Sequence, residues 1–183
     1  MWRVTGTVGE VIRVLVDVEA LPQWWPSVYL GVHVVSTGSP DGVGGVVEFH
    51  TKGWLPYTLK WRGTSLEPVS SDGFALSASG DLDGEGRWSF AQDGPEVEMV
   101  YDWRVDATKP LLRRLGWLFR PAFEANHRWA MARGEESLKL ELRRRRTVGR
   151  DASDPIPAPP RATFRPRRPR RPIRGRRPLR RPR

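Results

Sequence analysis

Cysteine is absent from the 183 residues, which excludes disulfide scaffolds, thiolate metal sites and cysteine nucleophiles. No apolar run reaches the ~18 residues that a membrane-spanning helix needs. The first residues lack the basic stretch, apolar block and cleavage site of a secretory leader. No glycine-rich phosphate loop precedes a helix, and no serine lies in a nucleophile elbow. These absences predict a soluble cytoplasmic protein without a metal or a cofactor.

Charge is distributed very unevenly along the chain. Residues 1–142 carry 14 Lys and Arg against 19 Asp and Glu, whereas residues 143–183 carry 17 Arg against 2 Asp. The second segment also holds 9 of the 17 prolines and a single aromatic residue, Phe164. Such a composition cannot bury enough apolar surface to fold. We therefore predict one compact domain over 1–142 and a disordered, basic Arg/Pro-rich tail over 143–183.

The tail has two candidate partners that its composition does not separate. Clustered arginines neutralise phosphates without reading sequence, so non-specific nucleic acid is one partner. An anionic membrane surface attracts the same charges. A third alternative is that the tail has no partner and interacts with nothing.

Sequence signals of a helix lie near the start of the chain. Thr7 and Glu10 have the spacing of a capping box, and apolar residues then recur every three or four positions. This pattern predicts a helix over about 8–20. A short second helix or turn follows and carries Trp24 and Trp25. Two adjacent indoles on one short element are expected to point different ways, which leaves one of them exposed or half-exposed.

From residue 29 the apolar period changes to two, which is typical of strands. The predicted strands lie near 29–36, 45–52, 56–66, 73–80, 86–91 and 96–106, with a further short strand around 2–7. Gly80, Gly84 and Gly86 are expected in a turn between strands. A long helix is predicted from Lys109 to about Leu142, and Pro121 is expected to bend it or divide it in two.

Alternation places aromatic residues on one face of this sheet. Tyr57, Leu59 and Trp61 share one side of their strand, and Tyr101 and Trp103 share one side of theirs. Alternation assigns the same face of the sheet to Phe49, Phe74, Trp88 and Phe90. Short connections indicate antiparallel hairpins, so the sequence predicts an α+β fold whose antiparallel sheet is covered on one face by the long helix.

Four stretches carry a family resemblance. They are DVEALPQWWPSVY at 17–29, GDLDGEGRWSF at 80–90, VYDWRV at 100–105 and FEANHRWAMARGEESLKL at 123–140. With the order of elements, they resemble the SRPBCC or START-like superfamily, and within it the polyketide cyclase/dehydrase-like proteins. The resemblance implies a helix-grip fold, in which a curved antiparallel sheet wraps around a long C-terminal helix and leaves a cavity between them.

The cavity of that family implies a hydrophobic or aromatic ligand, lipid-like or polyketide-like. The residues expected to line it are Trp25, Tyr29, Phe49, Tyr57, Trp61, Phe74, Trp88, Tyr101, Trp103, Phe123, His127 and Met131. Trp24 and Trp25 would lie at its mouth, although they could equally be a structural plug. Some family members are cyclases, aromatases or dehydratases, for which Tyr57, Tyr101 and His127 are the candidate polar groups.

Polar residues of the long helix allow more than one interpretation. Glu124 and His127 have the spacing of an acid/base pair, but Glu124 and Arg128 have the spacing of a surface ion pair. Glu-x-x-His is also half of a di-iron ligand set, but the sequence has only one copy, so a metal is not expected. We interpret Glu124 as a surface residue and His127 as a partly buried histidine.

Overall fold

The computed structural model describes residues 1–108, 110–147 and 155–163. Seven strands and three α-helices follow in the order β1, α1, α2, β2 to β7, α3. The strands are β1 Trp2–Thr5, β2 Tyr29–Ser36, β3 Val46–Lys52, β4 Thr58–Ser65, β5 Gly73–Gly80, β6 Leu82–Asp93 and β7 Glu96–Ala107. The helices are α1 Val8–Leu15, α2 Leu21–Trp24 and α3 Pro110–Thr147, with a 3₁₀ turn at Val18–Ala20.

One antiparallel sheet contains all seven strands, in the order β1-β7-β6-β5-β4-β3-β2. Consecutive strands pair as hairpins from β2 to β7, and β1 joins the other edge of β7. The predicted α+β class and the single antiparallel sheet are therefore confirmed. Inner-face residues pair across neighbouring strands, as Phe49 does with Trp61 and Trp88 with Tyr101.

The first helix begins as predicted but ends earlier. Thr7 and Glu10 form both bonds of the capping box. The predicted end near residue 20 is wrong, because α1 stops at Leu15 and Asp17 adopts a non-helical ψ of 68°. The Asp17 carboxylate instead accepts a hydrogen bond from Arg145 Nη2 at 2.7 Å. Residues 18–20 continue only as a 3₁₀ turn.

Strand β6 is longer than predicted, because Gly84 and Gly86 lie within it rather than in a turn. Gly84 has a φ of +144°, and a Cβ there would overlap the backbone oxygen of Arg104 on β7. A Cβ at Gly86 would overlap the Trp103 ring, which lies over the bare backbone. Gly84 therefore lets β6 approach the backbone of β7 closely, and Gly86 leaves room for the Trp103 ring. The sequence does not distinguish this role of glycine from turn formation.

The long helix is continuous through Pro121, so the predicted division into two does not occur. It also runs five residues beyond the predicted end at Leu142, to Thr147. Three arginines in its last turn are held by carboxylates: Arg144 by Glu141, Arg145 by Glu141 and Asp17, and Arg146 by Glu10. These ion pairs stabilise a turn that composition alone assigns to the tail.

Part of the predicted tail has a defined position. Residues 155–163 have no regular secondary structure, and residues 156–159 line a hollow together with Trp24 and Leu140. The rest of the predicted tail after α3, residues 148–154 and 164–183, falls outside the described residues. No described helix is long and apolar enough to span a bilayer.

Candidate functional site

A cavity of about 1100 Å³ lies between the inner face of the sheet and the middle of α3. Apolar and aromatic residues from both sides form much of its wall. The lining residues are Lys52, Gly53, Tyr57, Leu59, Leu82, Trp103, Val105, Asp106, Ala107, Phe123, Glu124, Asn126, His127, Arg128 and Ala130. Such a mixture, with a few polar groups on an apolar wall, is typical of small-molecule sites.

Four of the predicted ligand-binding residues line this cavity: Tyr57, Trp103, Phe123 and His127. The Tyr57 and Phe123 rings meet edge to face, with their centroids 6.4 Å apart, where the start of β4 faces α3. His127, interpreted from the sequence as partly buried, is exposed in the structure. Desolvation at the cavity wall nevertheless lowers its pKa, which favours the neutral imidazole.

Asn126 is a cavity residue that the sequence analysis missed. Its Oδ1 accepts hydrogen bonds from the backbone N–H groups of Trp54 and Leu55, at 2.8 and 3.2 Å. A Cβ at Gly53 would overlap the Asn126 amide, so the glycine permits this contact. Asn126 thus fastens the loop between β3 and β4 to α3. Nothing in the sequence singles Asn126 out, because Glu124, His127 and Arg128 beside it are polar as well.

Beside the cavity, eight aromatic rings form a closed circuit in which each ring contacts the next. Centroid separations run from 4.4 to 5.7 Å, with Trp88, Tyr101 and Trp103 stacked in sequence. The order is Trp2, Trp88, Tyr101, Trp103, Trp61, Phe49, Tyr29, Trp25 and back to Trp2. We call this set the aromatic circuit; Trp103 belongs both to it and to the cavity wall.

Polar groups of the aromatic circuit are mainly donors. Burial raises the pKa of Tyr29, and it raises that of Tyr101 with a further contribution from Tyr29 nearby, so both phenols stay protonated. Trp61 Nε1 donates to Thr51 Oγ1 at 3.1 Å. The buried indole nitrogens of Trp2 and Trp25 have no acceptor among the described residues. Of the eight rings, only that of Trp103 is among the residues that line the cavity, so the other rings belong to the core beside it.

Trp24 and Trp25 are both buried, at 2% and 5% exposure, so the expectation that one is exposed is wrong. Trp25 contacts Trp2 and Tyr29 in the aromatic circuit, while Trp24 stacks on Trp25. The two side chains still leave the helix in different directions, as the geometry of a single helical turn requires. Trp24 is buried because α3 and residues 156–159 lie against it.

The other eight predicted ligand-binding residues are not among those that line the cavity: six belong to the aromatic circuit, and the last two are Phe74 and Met131. Phe74 packs on Phe90 at 6.0 Å, and Met131 packs against the buried core. Glu124 and Arg128 keep exposed surface and also line the cavity, so both side chains lie at its rim. The four-residue spacing brings the two side chains to one face of α3, but it does not determine whether that face contacts solvent, the core or the cavity.

The three candidate catalytic residues are not joined into one constellation. Tyr57 and His127 line the cavity, whereas Tyr101 is stacked between Trp88 and Trp103. Within residues 1–108 and 110–147 no hydrogen bond connects any two of the three. The described residues also contain no group of three or more His, Asp or Glu placed to hold a metal ion.

A second hollow, of about 630 Å³, lies against the sheet near β2 to β5. Alternation puts its charged residues on the outer face, where Arg62 pairs with Glu48 at 2.7 Å and His33 and His50 lie nearby. Its lining also includes Val32, Phe49 and Trp61, but its charged side chains are on the face of the sheet away from α3. The cavity under α3 is therefore the better candidate for an apolar ligand.

Comparison with known proteins identifies the architecture. No protein-family model and no curated protein matches the chain. Among solved structures, the Zhui aromatase/cyclase from Streptomyces sp. R1128 has a TM-score of 0.60 and 15% identity over 82% of this chain and 94% of its own. TTHA0849 from Thermus thermophilus has a TM-score of 0.59 and 19% identity over 81% and 95% of the two chains.

A protein from Arthrobacter aurescens is also similar, with a TM-score of 0.50 and 12% identity over 78% of this chain and 83% of that one. At such identities the similarity establishes the fold, and function has to be argued from the site. The chain has the START-like helix-grip fold that the resemblance implies.

Proposed function

We propose that the protein binds a hydrophobic, aromatic small molecule in the cavity between the sheet and α3. The observation that carries this proposal is the 1100 Å³ cavity, whose wall contains rings from the sheet, Tyr57 and Trp103, and from the helix, Phe123. Rings offer large apolar contact at little conformational cost.

Polar groups on the cavity wall narrow the class of ligand. Tyr57 and His127 both line the cavity, and burial raises the pKa of Tyr57, which keeps its phenol protonated and able to donate. A planar compound bearing carbonyl or hydroxyl oxygens, as polyketides do, would pair with these groups, whereas a plain hydrocarbon chain would not. The similarity to an aromatase/cyclase structure agrees with this class at the level of fold.

Filling the cavity should abolish binding without harming the fold. Ala130 lies on the cavity wall, whereas Ala132 is exposed on another face of α3. In Ala130→Phe the new ring would occupy the void, so the affinity for an uncharged aromatic dye, N-phenyl-1-naphthylamine, should fall at least about tenfold. Fluorescence titration measures this, and native mass spectrometry of fresh protein looks for a compound that copurifies.

Ala132→Phe is the matched control, and it should bind the dye as the parent protein does. Both variants should melt within a few degrees of the parent protein. Dye binding that is absent from the parent protein, or that is equal in the two variants, would refute the proposal. Loss of binding together with a collapsed melting temperature would instead mean that the space is core.

A further inference from the structure

Lys52 is a buried cation on the wall of the cavity. It is the last residue of β3, it lines the cavity, and it is only 3% exposed. Its Nζ donates a hydrogen bond to Thr163 Oγ1 at 2.9 Å, and burial lowers its pKa to about 8. The amine is therefore still mostly protonated at pH 7 and carries its charge in a buried position. An anion or a strong hydrogen-bond acceptor stabilises a charge in such a position.

Two neutral donors lie next to this cation. Asn126 lines the same cavity, and a Cβ at Gly53, the residue that follows Lys52, would overlap its amide. Because Asn126 Oδ1 accepts two backbone N–H groups of the loop after β3, the amide is held in one orientation and Nδ2 is its donor toward a ligand. Tyr57, at the other end of this loop, adds a phenol whose pKa is raised by burial. One charged and two neutral donors thus belong to one part of the wall.

The other charged residues of the wall have less influence inside the cavity. Asp106 and Glu124 are negative and Arg128 is positive, but all three are exposed. The lowered pKa of His127 favours its neutral form. Water and salt screen exposed charges, whereas a buried charge acts through a medium of low dielectric constant. Lys52 therefore determines which sign of ligand charge the interior favours.

We propose that Lys52, with Asn126 beside it, makes the cavity selective for aromatic compounds that carry an acidic group. This selectivity deepens the proposed function and rests on it. The ammonium and the amide would donate to one carboxylate or ionised phenol of the ligand, while rings of the wall contact its apolar skeleton. A hydrogen bond between charged groups is about twice as strong as a neutral one. A ligand without an acidic group offers no such bond.

Two dyes with the same skeleton test the proposal on the full-length protein. N-phenyl-1-naphthylamine is neutral, and anilinonaphthalene sulfonate is the same compound with one added anionic group. Lys52→Met keeps an unbranched apolar stem on the wall and removes the charge. The affinity for the sulfonate should fall about tenfold, because one charge-assisted bond is lost. The affinity for the neutral dye should change by less than about twofold, and fluorescence titration measures both.

Lys60→Met is the matched control. Lys60 lies on the neighbouring strand β4, but it is exposed and lines the hollow on the outer face, so this variant loses the same charge outside the cavity. It should bind both dyes as the parent protein does. Thr163→Val removes the acceptor of Lys52 but keeps the ammonium, and it should still bind the sulfonate. This variant separates the charge of Lys52 from its bond to Thr163.

The parent protein allows a second measurement that needs no substitution. Its affinity for the sulfonate should fall as the pH rises above about 8, because Lys52 then loses its proton. The affinity for the neutral dye should stay constant. The pKa of Tyr57 is raised by burial and that of His127 is lowered, so neither side chain changes charge between about pH 7.5 and 9.5.

The outcomes separate the two proposals. A parent protein that does not bind the neutral dye would refute the proposed function. If the neutral dye binds, a sulfonate affinity that is equal in Lys52→Met and Lys60→Met, or that does not depend on pH in this range, would overturn the role of Lys52 alone. Loss of both dyes in Lys52→Met would also overturn it, because Lys52 would then support the shape of the cavity and not its selectivity.

Discussion

Gly134 is the point where α3 approaches the aromatic circuit most closely. A Cβ at this position would overlap the Trp25 ring and lie 2.6 Å from Trp2 Cη2. Both indoles are buried and are held by further rings on either side. Neither ring can therefore move aside easily, so the contact requires glycine for space even though the backbone is helical.

We expect Gly134→Ala to destabilise the protein by about 2 kcal/mol, because overpacking a rigid core costs more than alanine gains in a helix. Gly9→Ala is the control, since a Cβ there would meet only Arg13 Nη1, at an ordinary 3.6 Å. That variant should be stabilised by about 0.5–1 kcal/mol. Urea unfolding measures both, and equal effects of the two variants would contradict the packing argument.

Phenol donors in the aromatic circuit are the other residue-scale feature. Tyr29 and Tyr101 lie among the core rings and are not among the residues that line the cavity. Their pKa values are raised by burial, which keeps them uncharged and able to donate at any physiological pH.

At the scale of elements, the start of α1 and the end of α3 are joined through one carboxylate. Glu10 Oε2 accepts from the Thr7 backbone N–H at 2.8 Å, and Glu10 Oε1 pairs with Arg146 Nε at 2.8 Å. The bond to Arg146 and the backbone bond to Thr7 lower the pKa of Glu10 to about 2. The same group thus caps one helix and fixes the last turn of another.

We expect Glu10→Gln to lose about 1 kcal/mol of stability at pH 7, because the amide keeps the cap but not the ion pair. A depressed carboxyl pKa stabilises the fold above the unfolded value of 4.5, and this stabilisation is lost as the pH falls toward 2. The difference between the parent protein and the variant should therefore shrink between pH 5 and pH 3. Urea unfolding across that range would contradict this if the difference stayed constant.

The loop between β3 and β4 shows how one element fixes another. Asn126 on α3 accepts two loop N–H groups, and Gly53 leaves room for its amide. Neither hydrogen bond is part of the sheet. The edge of the cavity therefore depends on α3 being in place, which couples the shape of the site to the packing of the helix.

At the scale of the whole molecule, the C-terminal end of α3 holds the body together. Burial alone would raise the pKa of Glu141, but bonds from Arg144 and Arg145 outweigh burial and lower it. The Glu141 side chain is only 4% exposed. Removing its arginine partners would leave a buried charge without compensation, which is costly.

Shortening the chain at its C-terminal end should show how much these bonds contribute to stability. A chain ending at Leu142 should be less stable than one ending at Thr147 by about 2 kcal/mol, which is several degrees in melting temperature. A chain ending at Thr163 should be more stable again, since it restores the cover over Trp24 and the Lys52 bond. Calorimetry of the three chains measures the steps. Identical melting temperatures would show that neither the last turn of α3 nor residues 155–163 contribute to stability.

Much of the architecture could be predicted because it depends on local patterns. Alternation in Tyr57, Leu59 and Trp61 identifies the inner face of β4, and the capping box marks the start of α1. These signals are set by backbone geometry, which repeats every two or 3.6 residues. The same signals could not locate Gly84 and Gly86 within β6, since glycine serves both turns and close packing.

The sequence by itself determined the order of elements, the apolar face of the sheet and the separation of a basic segment from an acidic body, because each follows from periodicity or composition. Only the tertiary structure decided that Asn126 fastens a loop, that Trp24 and Trp25 are both buried, and that Thr163 reaches Lys52. These contacts join residues 71 to 111 positions apart or depend on what covers a surface. No local pattern encodes them, because they exist only once the sheet has curved and α3 has packed against it.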